Sequence, residues 1–196
     1  MSIASEYKYY DPPYLLVPYT PELPETNSDV NLLNAYGRIK QEGLSDIVFH
    51  DNPNITLGDY VSWFNLPNVL PQFIFKVKDD MTAEDMVGMI WLSDVMKCET
   101  IARGSGSFIY FRRYMDGHTP EKLAKLVFQY WFEALNMDIV TGTTPMLNKA
   151  AIKYIRKIGM QEVGIMPQFA NYKGRVSDAL MSCMTRDIYD NSYGLM

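Results

Sequence analysis

The spacing of apolar residues along the chain predicts a run of strands followed by alternating helices and strands. Apolar and polar residues alternate within QFIFKVK (72–78), EDMVGMIWLSDVM (84–96) and ETIARGSGSFIYFRR (99–113), which predicts three successive strands. Their short connections favour an antiparallel meander. Between residues 123 and 134 apolar residues recur every three or four positions, which predicts an amphipathic helix.

Shorter patterns add the remaining elements. A helix that begins at Ser28 or Asp29 and ends near Gln41, and a second helix within 54–67 that Thr56 could cap, precede the meander. After the amphipathic helix, the pattern predicts a strand at 137–144, a helix at 148–159 that Gly159 stops, and strands at 160–169 and 178–189.

This order predicts a mixed α/β fold. The helix between the strands at 99–113 and 137–144 is a crossover, so we expect these two strands to be parallel. The full prediction is an α+β mixed sheet of about seven strands, with a central antiparallel meander, the parallel pair and about four helices. A chain of 196 residues is of the size of one domain, which we place at residues 29–190.

Residues 1–28 differ from the rest because they are rich in tyrosine and proline. Five prolines between positions 12 and 24 exclude a continuous helix, while YLLV (14–17) is compatible with a short strand. Two interpretations of this extended N-terminal arm are open. It could pack along the surface of its own domain, or dock a protein partner through exposed aromatics that proline holds extended.

The composition restricts the classes of function. An apolar fraction of 47% and a charged fraction of 21% are typical of a soluble globular protein. The net charge of −5 argues against a nucleic-acid surface, which would need a basic face. The chain shows neither an apolar run of membrane-spanning length nor a signal-peptide pattern, so we expect a cytoplasmic protein without membrane attachment.

The cysteines and histidines give no sign of a metal or redox site. Cys98 and Cys183 lie far apart and form no CxxC pair, so we expect two free thiols. His50 and His118 are the only histidines, too few for a histidine-rich metal site. We therefore expect no metal.

The segment RRYMDGHTPEKL (112–123) joins a predicted strand to the amphipathic helix. Thr119 suits the helix cap and Pro120 the first helical position. Unpaired N–H groups and the helix dipole make such a helix start a site for a phosphate. A single glycine, Gly117, is equally compatible with an ordinary turn.

Three motifs together resemble the GNAT superfamily of acyl-CoA N-acyltransferases. NKAAIKYIRKIGMQEVG (148–164) resembles the fourth-helix signature of that family, and GRVSDALMSCMTRDIY (174–189) is similar to the last strand of its ribosomal-protein N-terminal acetyltransferase branch. The third motif is the segment at 112–123, which follows the strand where the family places its phosphate loop. The resemblance covers roughly residues 70–190. The segments YWFE and NMDIVTGTTP also resemble GNAT-fold proteins of tailed phages.

The resemblance implies that acetyl-CoA, or coenzyme A, is the cofactor. In the family, an Arg/Gln-x-x-Gly-x-Gly/Ala loop holds the pyrophosphate, and here Tyr114, Gly117 and Thr119 stand at its key positions. Arg113 and His118 could add positive charge, which Asp116 would oppose.

Three further candidates come from the same comparison. Asn148 stands where the family contacts the pantetheine arm, although it would also cap a helix. In the family, a tyrosine on the fourth helix often protonates the leaving thiolate. Ile155 stands at that position here, and Tyr154 is the nearest alternative. One helical step turns a side chain by about 100°, so we expect Tyr154 to point elsewhere. Glu99 is the candidate base, although an exposed strand-edge glutamate explains it equally.

Two hypotheses of function follow from the resemblance. The first is an N-acetyltransferase that moves an acetyl group from acetyl-CoA to a primary amine, such as a protein N-terminus or a lysine. The second is a GNAT-fold protein with weakened catalysis that serves as a structural or docking component, for example of a phage virion through residues 1–28. In that case the host cytoplasm or the virion would be its location. The acceptor, the acyl group and the oligomeric state stay open.

Overall fold

One mixed sheet organises the chain. The computed structural model describes residues 9–19, 28–49, 52–116 and 118–194. Within these ranges the sheet has eight strands in the order β1-β2-β3-β4-β5-β6-β8-β7. The strands are β1 (Tyr10–Asp11), β2 (Tyr14–Pro18), β3 (Leu70–Val77), β4 (Ala83–Lys97), β5 (Ala102–Tyr110), β6 (Ile139–Pro145), β7 (Gln161–Tyr172) and β8 (Arg175–Thr185).

Helices cover both faces of this sheet. Over the described residues they are α1 (Ser28–Gln41), α2 (Ser45–Val48), α3 (Leu57–Phe64), α4 (Thr119–Gln129), α5 (Lys149–Lys157) and α6 (Arg186–Ser192). A 3-10 turn at Arg112–Tyr114 precedes α4, and a π-helical turn at Tyr130–Ala134 extends it. None of these helices combines the length and the apolar character that crossing a membrane requires.

The predicted meander and parallel pair are confirmed. Strands β2 to β5 pair antiparallel with their neighbours, and β5 pairs parallel with β6. The parallel pairing is short, because only residues 103–105 face residues 139–141. Beyond this point β5 stays with β4 up to Tyr110, while β6 stays with β8 up to Pro145. The sheet therefore divides between β5 and β6.

Two hydrophobic cores lie on opposite faces of the sheet. The first packs side chains of α4 and α5 on the sheet and centres on the fully buried Trp131. Its indole N–H donates to Oε1 of the buried Gln72 at 2.9 Å, so the polar groups of both side chains are satisfied. The second core packs α1 and α3 on the other face and includes Phe64, Phe73 and Trp91.

Local signals place two helices as expected. Oγ1 of Thr56 accepts from the Asp59 N–H at 3.2 Å, so the predicted cap of α3 is confirmed. Asn148 caps α5 by accepting from the Ala151 N–H, also at 3.2 Å. Gly159 follows α5 with φ of 74°, a left-handed conformation that glycine adopts without strain.

The final strand prediction, 178–189, is wrong at its end. Strand β8 stops at Thr185, whose Oγ1 accepts from the Ile188 N–H and starts α6. Tertiary contacts hold this helix, because the ring of Tyr189 stacks on Phe132 with centroids 4.8 Å apart. Arg186 adds hydrogen bonds to the carbonyl oxygens of Phe132 and Met137. Neither contact shows in the local pattern.

The described part of the N-terminal arm belongs to the sheet. Strand β2 pairs antiparallel with β3, and β1 pairs with β2 at the sheet edge. Lys122 of α4 donates to the Pro12 carbonyl at 2.6 Å, which ties this segment to the helix. The described residues thus form one strand and two helices more than predicted, namely β1, α2 and α6. Cys98 and Cys183 are both free thiols, as expected.

Candidate functional site

The division between β5 and β6 opens a cavity of about 570 Å³. Residues 106–110 of β5 and 142–145 of β6 form its long walls. Alternate side chains of a strand point to opposite faces, so Tyr110 belongs to the core beneath α4 and α5 and Ile109 to the core beneath α1 and α3. Because both side chains line the cavity, it reaches both faces of the sheet. Its volume is within the range of about 300–1,000 Å³ that small-molecule sites occupy.

A pair of tyrosines lies inside this cavity. The hydroxyl groups of Tyr110 and Tyr154 are 2.9 Å apart, and the Tyr154 hydroxyl also donates to the Pro120 carbonyl at 3.1 Å. Burial raises the pKa of Tyr154 well above its ordinary value and raises that of Tyr110 as well. Tyr154 therefore keeps its proton in the resting protein, and it is a weaker acid than an unperturbed tyrosine.

The orientation of Tyr154 differs from the expected one. Both Tyr154 and its neighbour Ile155 line the cavity, so the step of about 100° between them does not turn Tyr154 away. The cavity is wide enough to meet two adjacent positions of α5. The sequence contains no signal for Tyr110 as a partner, because 44 residues separate it from Tyr154.

The backbone N–H groups just before and at the start of α4 have an acceptor within their own loop. The Asp116 carboxylate accepts from the backbone N–H of His118 at 2.9 Å and of Thr119 at 2.7 Å, and from the Thr119 hydroxyl at 2.7 Å. These hydrogen bonds, led by the one from the Thr119 N–H, hold the pKa of Asp116 below its ordinary value. Helix α4 begins at Thr119, and Asp116 accepts from the N–H of this first helical residue. Thr119 is therefore not the cap that the sequence predicts.

The other end of this loop is fixed by an ionic network. Glu42 accepts from the Arg112 N–H at 2.7 Å, and Asp85 accepts from the Tyr114 hydroxyl at 2.8 Å and from Arg38 at 2.7 Å. Burial alone would raise the pKa of Asp85, but the hydrogen bonds from Tyr114 and Arg38 outweigh it and lower the pKa. Burial and the bond to Asp85 raise the pKa of Tyr114 to about 12. Tyr114 is thus an anchor of the loop.

Positive side chains surround the mouth of the cavity on the α5 side. Lys153 and Lys157 line it, and Lys157 forms an ion pair with Glu121 of α4. Asn148 caps α5 and lines the cavity as well, so its two interpretations are compatible. This end can attract an anionic ligand.

The remaining predicted site residues are distributed as follows. The Arg113 side chain is 72% exposed and lies 3.9 Å from Asp85, and His118 is exposed at the start of α4. Gly117 lies outside the described residues. Glu99 is exposed in the turn between β4 and β5, at the opposite end of β5 from Tyr110. The structure does not bring Glu99 to the cavity.

The described part of the chain contains no cluster of three or more His, Cys, Asp or Glu side chains that could hold a metal ion. Sequence reasoning missed the part of the wall that α2 and its neighbours supply, namely Leu44, Ile47 and Val48. A helix of four residues is too short to show a period in the sequence.

Comparison with known proteins gives matches in structure alone. No family model matches the chain, and no curated protein is significantly similar in sequence. The spermidine N-acetyltransferase from Vibrio cholerae, solved in complex with CoA and spermine, has a TM-score of 0.65 at 14% identity, covering 89% of this chain and 97% of that chain. The ribosomal-protein-S5-alanine acetyltransferase from Vibrio fischeri has a TM-score of 0.65 at 11% identity, covering 91% and 96%.

A third structure, a chimera of the Vibrio cholerae spermidine N-acetyltransferase and hSSAT, has a TM-score of 0.68 at 12% identity over 91% and 99% of the two chains. These neighbours are acetyltransferases of the GNAT fold. The chain therefore has the GNAT fold that its motifs imply. At these identities the likeness establishes the fold and not the reaction. The predicted link to phages and virions finds no support among these structures.

Proposed function

We propose that the protein is an N-acetyltransferase that moves an acetyl group from acetyl-CoA to a primary amine. The observation that carries this proposal is the pair of hydroxyl groups of Tyr110 and Tyr154, which lie 2.9 Å apart in a cavity that opens where two parallel strands part. The cytoplasm, which the sequence favours, is the compartment that we propose.

Most of the residues around the cavity fit coenzyme A, and two carboxylates do not. Lys153 and Lys157 would attract its phosphates, and Asn148 would contact its pantetheine arm. Arg113, Gly117, His118 and Thr119 remain the proposed pyrophosphate residues at the start of α4. Glu121 lines the cavity and pairs with Lys157, and the Asp116 carboxylate occupies the N–H groups of His118 and Thr119 and must be displaced by a phosphate.

The chemistry assigns one step to Tyr154. Acetyl-CoA supplies a thioester, in which the amine nitrogen forms a bond to the carbonyl carbon and the C–S bond breaks. Tyr154 gives its proton to the departing thiolate, the acetylated nitrogen loses one proton to solvent, and Tyr154 regains a proton from solvent before the next turnover. Tyr110 lies within hydrogen-bond distance of the Tyr154 oxygen and helps to fix the position of the Tyr154 hydroxyl. We do not assign the base to Glu99, because β5 separates it from the cavity.

Acetyl transfer by wild type and Tyr154→Phe tests this proposal. Loss of the proton donor is expected to lower kcat by about 100-fold or more while the Kd for CoA, measured by titration calorimetry, stays within about threefold. Tyr36→Phe is the matched control, because the Tyr36 hydroxyl also donates to a carbonyl, that of Ile55 at 3.0 Å, in the other core. An absence of CoA binding at millimolar concentration would refute the proposal.

The domain boundaries are also part of this proposal. We treat residues 29–190 as one GNAT-like domain and residues 1–28 as an arm, of which β1 and β2 join the sheet. An amine substrate is the partner that this function requires.

A further inference from the structure

One end of the cavity is built from apolar side chains. Leu44, Ile47 and Val48 come from α2 and the residue before it, and Trp91 and Ile109 come from the sheet beneath them. Leu44, Trp91 and Ile109 are buried, each with at most 5% of its surface exposed. Ile47 and Val48 are half-buried and pack against the same core. We call these five residues the α2 wall.

The charged residues of the cavity lie at its other end. Among the described residues that line it, the carboxylate and amine side chains are Glu121, Lys153 and Lys157. All three belong to α4 and α5, which cover the opposite face of the sheet from the α2 wall. The cavity thus has a charged end, whose lysines suit the phosphates of a cofactor, and an apolar end.

A cofactor that enters at the charged end leaves its reacting carbon beside the gap between the strands. The Tyr154 hydroxyl marks this position, because it lies on the α5 side with the Tyr110 hydroxyl 2.9 Å away. The acceptor must then approach from the far side of the gap, where the α2 wall lies. The α2 wall therefore contacts whatever group is attached to the reacting nitrogen.

We propose that the acceptor is a primary amine attached to an apolar group, which packs on the α2 wall. This inference rests on the proposed acetyl transfer. Burial of an apolar group against the half-buried Val48 and Ile47 is favourable, because it removes apolar surface from water on both sides. A polyamine would instead lose the hydration of its positive charges against the same wall. A neighbour with the same fold was solved with spermine, so the fold by itself does not set this selectivity.

The test compares amines of similar size in a steady-state acetyl-CoA assay. The expected kcat/KM for 2-phenylethylamine is at least about 10-fold higher than for spermidine, the scale on which a hydrophobic pocket discriminates. Two short peptides, one with an N-terminal phenylalanine and one with glycine, separate the sources of the apolar amine. If the natural acceptor is a peptide, kcat/KM for the phenylalanine peptide is higher than for both the glycine peptide and 2-phenylethylamine.

Substitution of the wall provides the second test. Val48→Asp is expected to lower kcat/KM for 2-phenylethylamine by about 10-fold or more and to raise it for spermidine. Val48→Thr keeps the shape and serves if the charge prevents folding, with a smaller loss in the same direction. The matched control is Asp46→Asn, which changes a charge on the same helix at an exposed position outside the cavity. This control is expected to leave both amines unchanged.

The outcomes separate this inference from the proposed function. Acetyl transfer with equal or higher kcat/KM for spermidine overturns the inference alone, as does an unchanged preference in Val48→Asp. A preference for a long-chain acyl-CoA over acetyl-CoA with every amine also overturns it, because the wall would then hold the acyl chain. Failure to bind CoA overturns the proposed function itself.

Discussion

Removal of the Asp116 carboxylate is expected to tighten CoA binding and to weaken the fold at the same time. Asp116 accepts two backbone hydrogen bonds at 2.9 and 2.7 Å and one from the Thr119 hydroxyl at 2.7 Å. A phosphate at the start of α4 needs the same two N–H groups. The wild-type loop therefore has to release its own carboxylate before it can bind a pyrophosphate.

The magnitude follows from charge and distance. Asp116 is exposed, so its repulsion of a phosphate charge about 4 Å away is screened to about 1 kcal/mol, or about 2 kcal/mol for two charges. This range corresponds to a Kd about 5- to 30-fold lower in Asp116→Ala. The same substitution removes a helix cap worth about 1 kcal/mol and should lower the Tm of the unliganded protein by about 2–4 °C.

Titration calorimetry with CoA and a thermal melt without ligand measure the two effects. Asp116→Asn is the informative companion, because it removes the charge but keeps an oxygen that can accept from the Thr119 N–H. It should gain part of the affinity and lose less Tm than Asp116→Ala. The gain should shrink as salt is added. If both variants lose stability while their Kd for CoA stays equal or rises, the carboxylate does not compete with phosphate and the reasoning is wrong.

Three further expectations concern the core around the cavity. Burial raises the pKa of Tyr154, so the folded state keeps a proton that the unfolded chain releases above about pH 10; the Tm should fall more steeply above pH 10 in wild type than in Tyr154→Phe. A methyl group on Gly106 would lie 2.8 Å from the Trp131 ring, so Gly106→Ala should lower the free energy of unfolding in urea by about 1–3 kcal/mol. Gly164→Ala is the control, because a methyl group there meets nothing within 4 Å and should not cause this loss. Gln72→Leu leaves the buried Trp131 N–H without its acceptor and should cost about 1–3 kcal/mol, and an unchanged midpoint would contradict this assignment.

The elements that the sequence predicts well are those whose signals are local. The caps at Thr56 and Asn148 and the stop at Gly159 act within one helical turn, and all three are confirmed. The parallel pairing of β5 with β6 follows from the crossover, which is itself visible in the order of elements. The motif at 148–164 led to the GNAT fold, which the structural neighbours confirm.

Local signals failed where distant residues decide the outcome. The alternation of apolar and polar residues predicts a strand over 178–189. Residues 186–189 instead belong to α6, where Tyr189 stacks on Phe132. Likewise, the loop pattern identifies Thr119 as the cap, but α4 begins at Thr119 itself and the Asp116 carboxylate accepts from its N–H.

By itself the sequence determined a mixed α/β fold with a possible phosphate loop before α4, because period and capping depend on neighbours along the chain. Tertiary structure alone decided what the site contains. It joins Tyr110 to Tyr154 across 44 residues, and it places Val48 opposite Lys153 across the divided sheet. These relations depend on where β5 and β6 part, beyond the pairing of residues 103–105 with residues 139–141, which lie far apart in sequence.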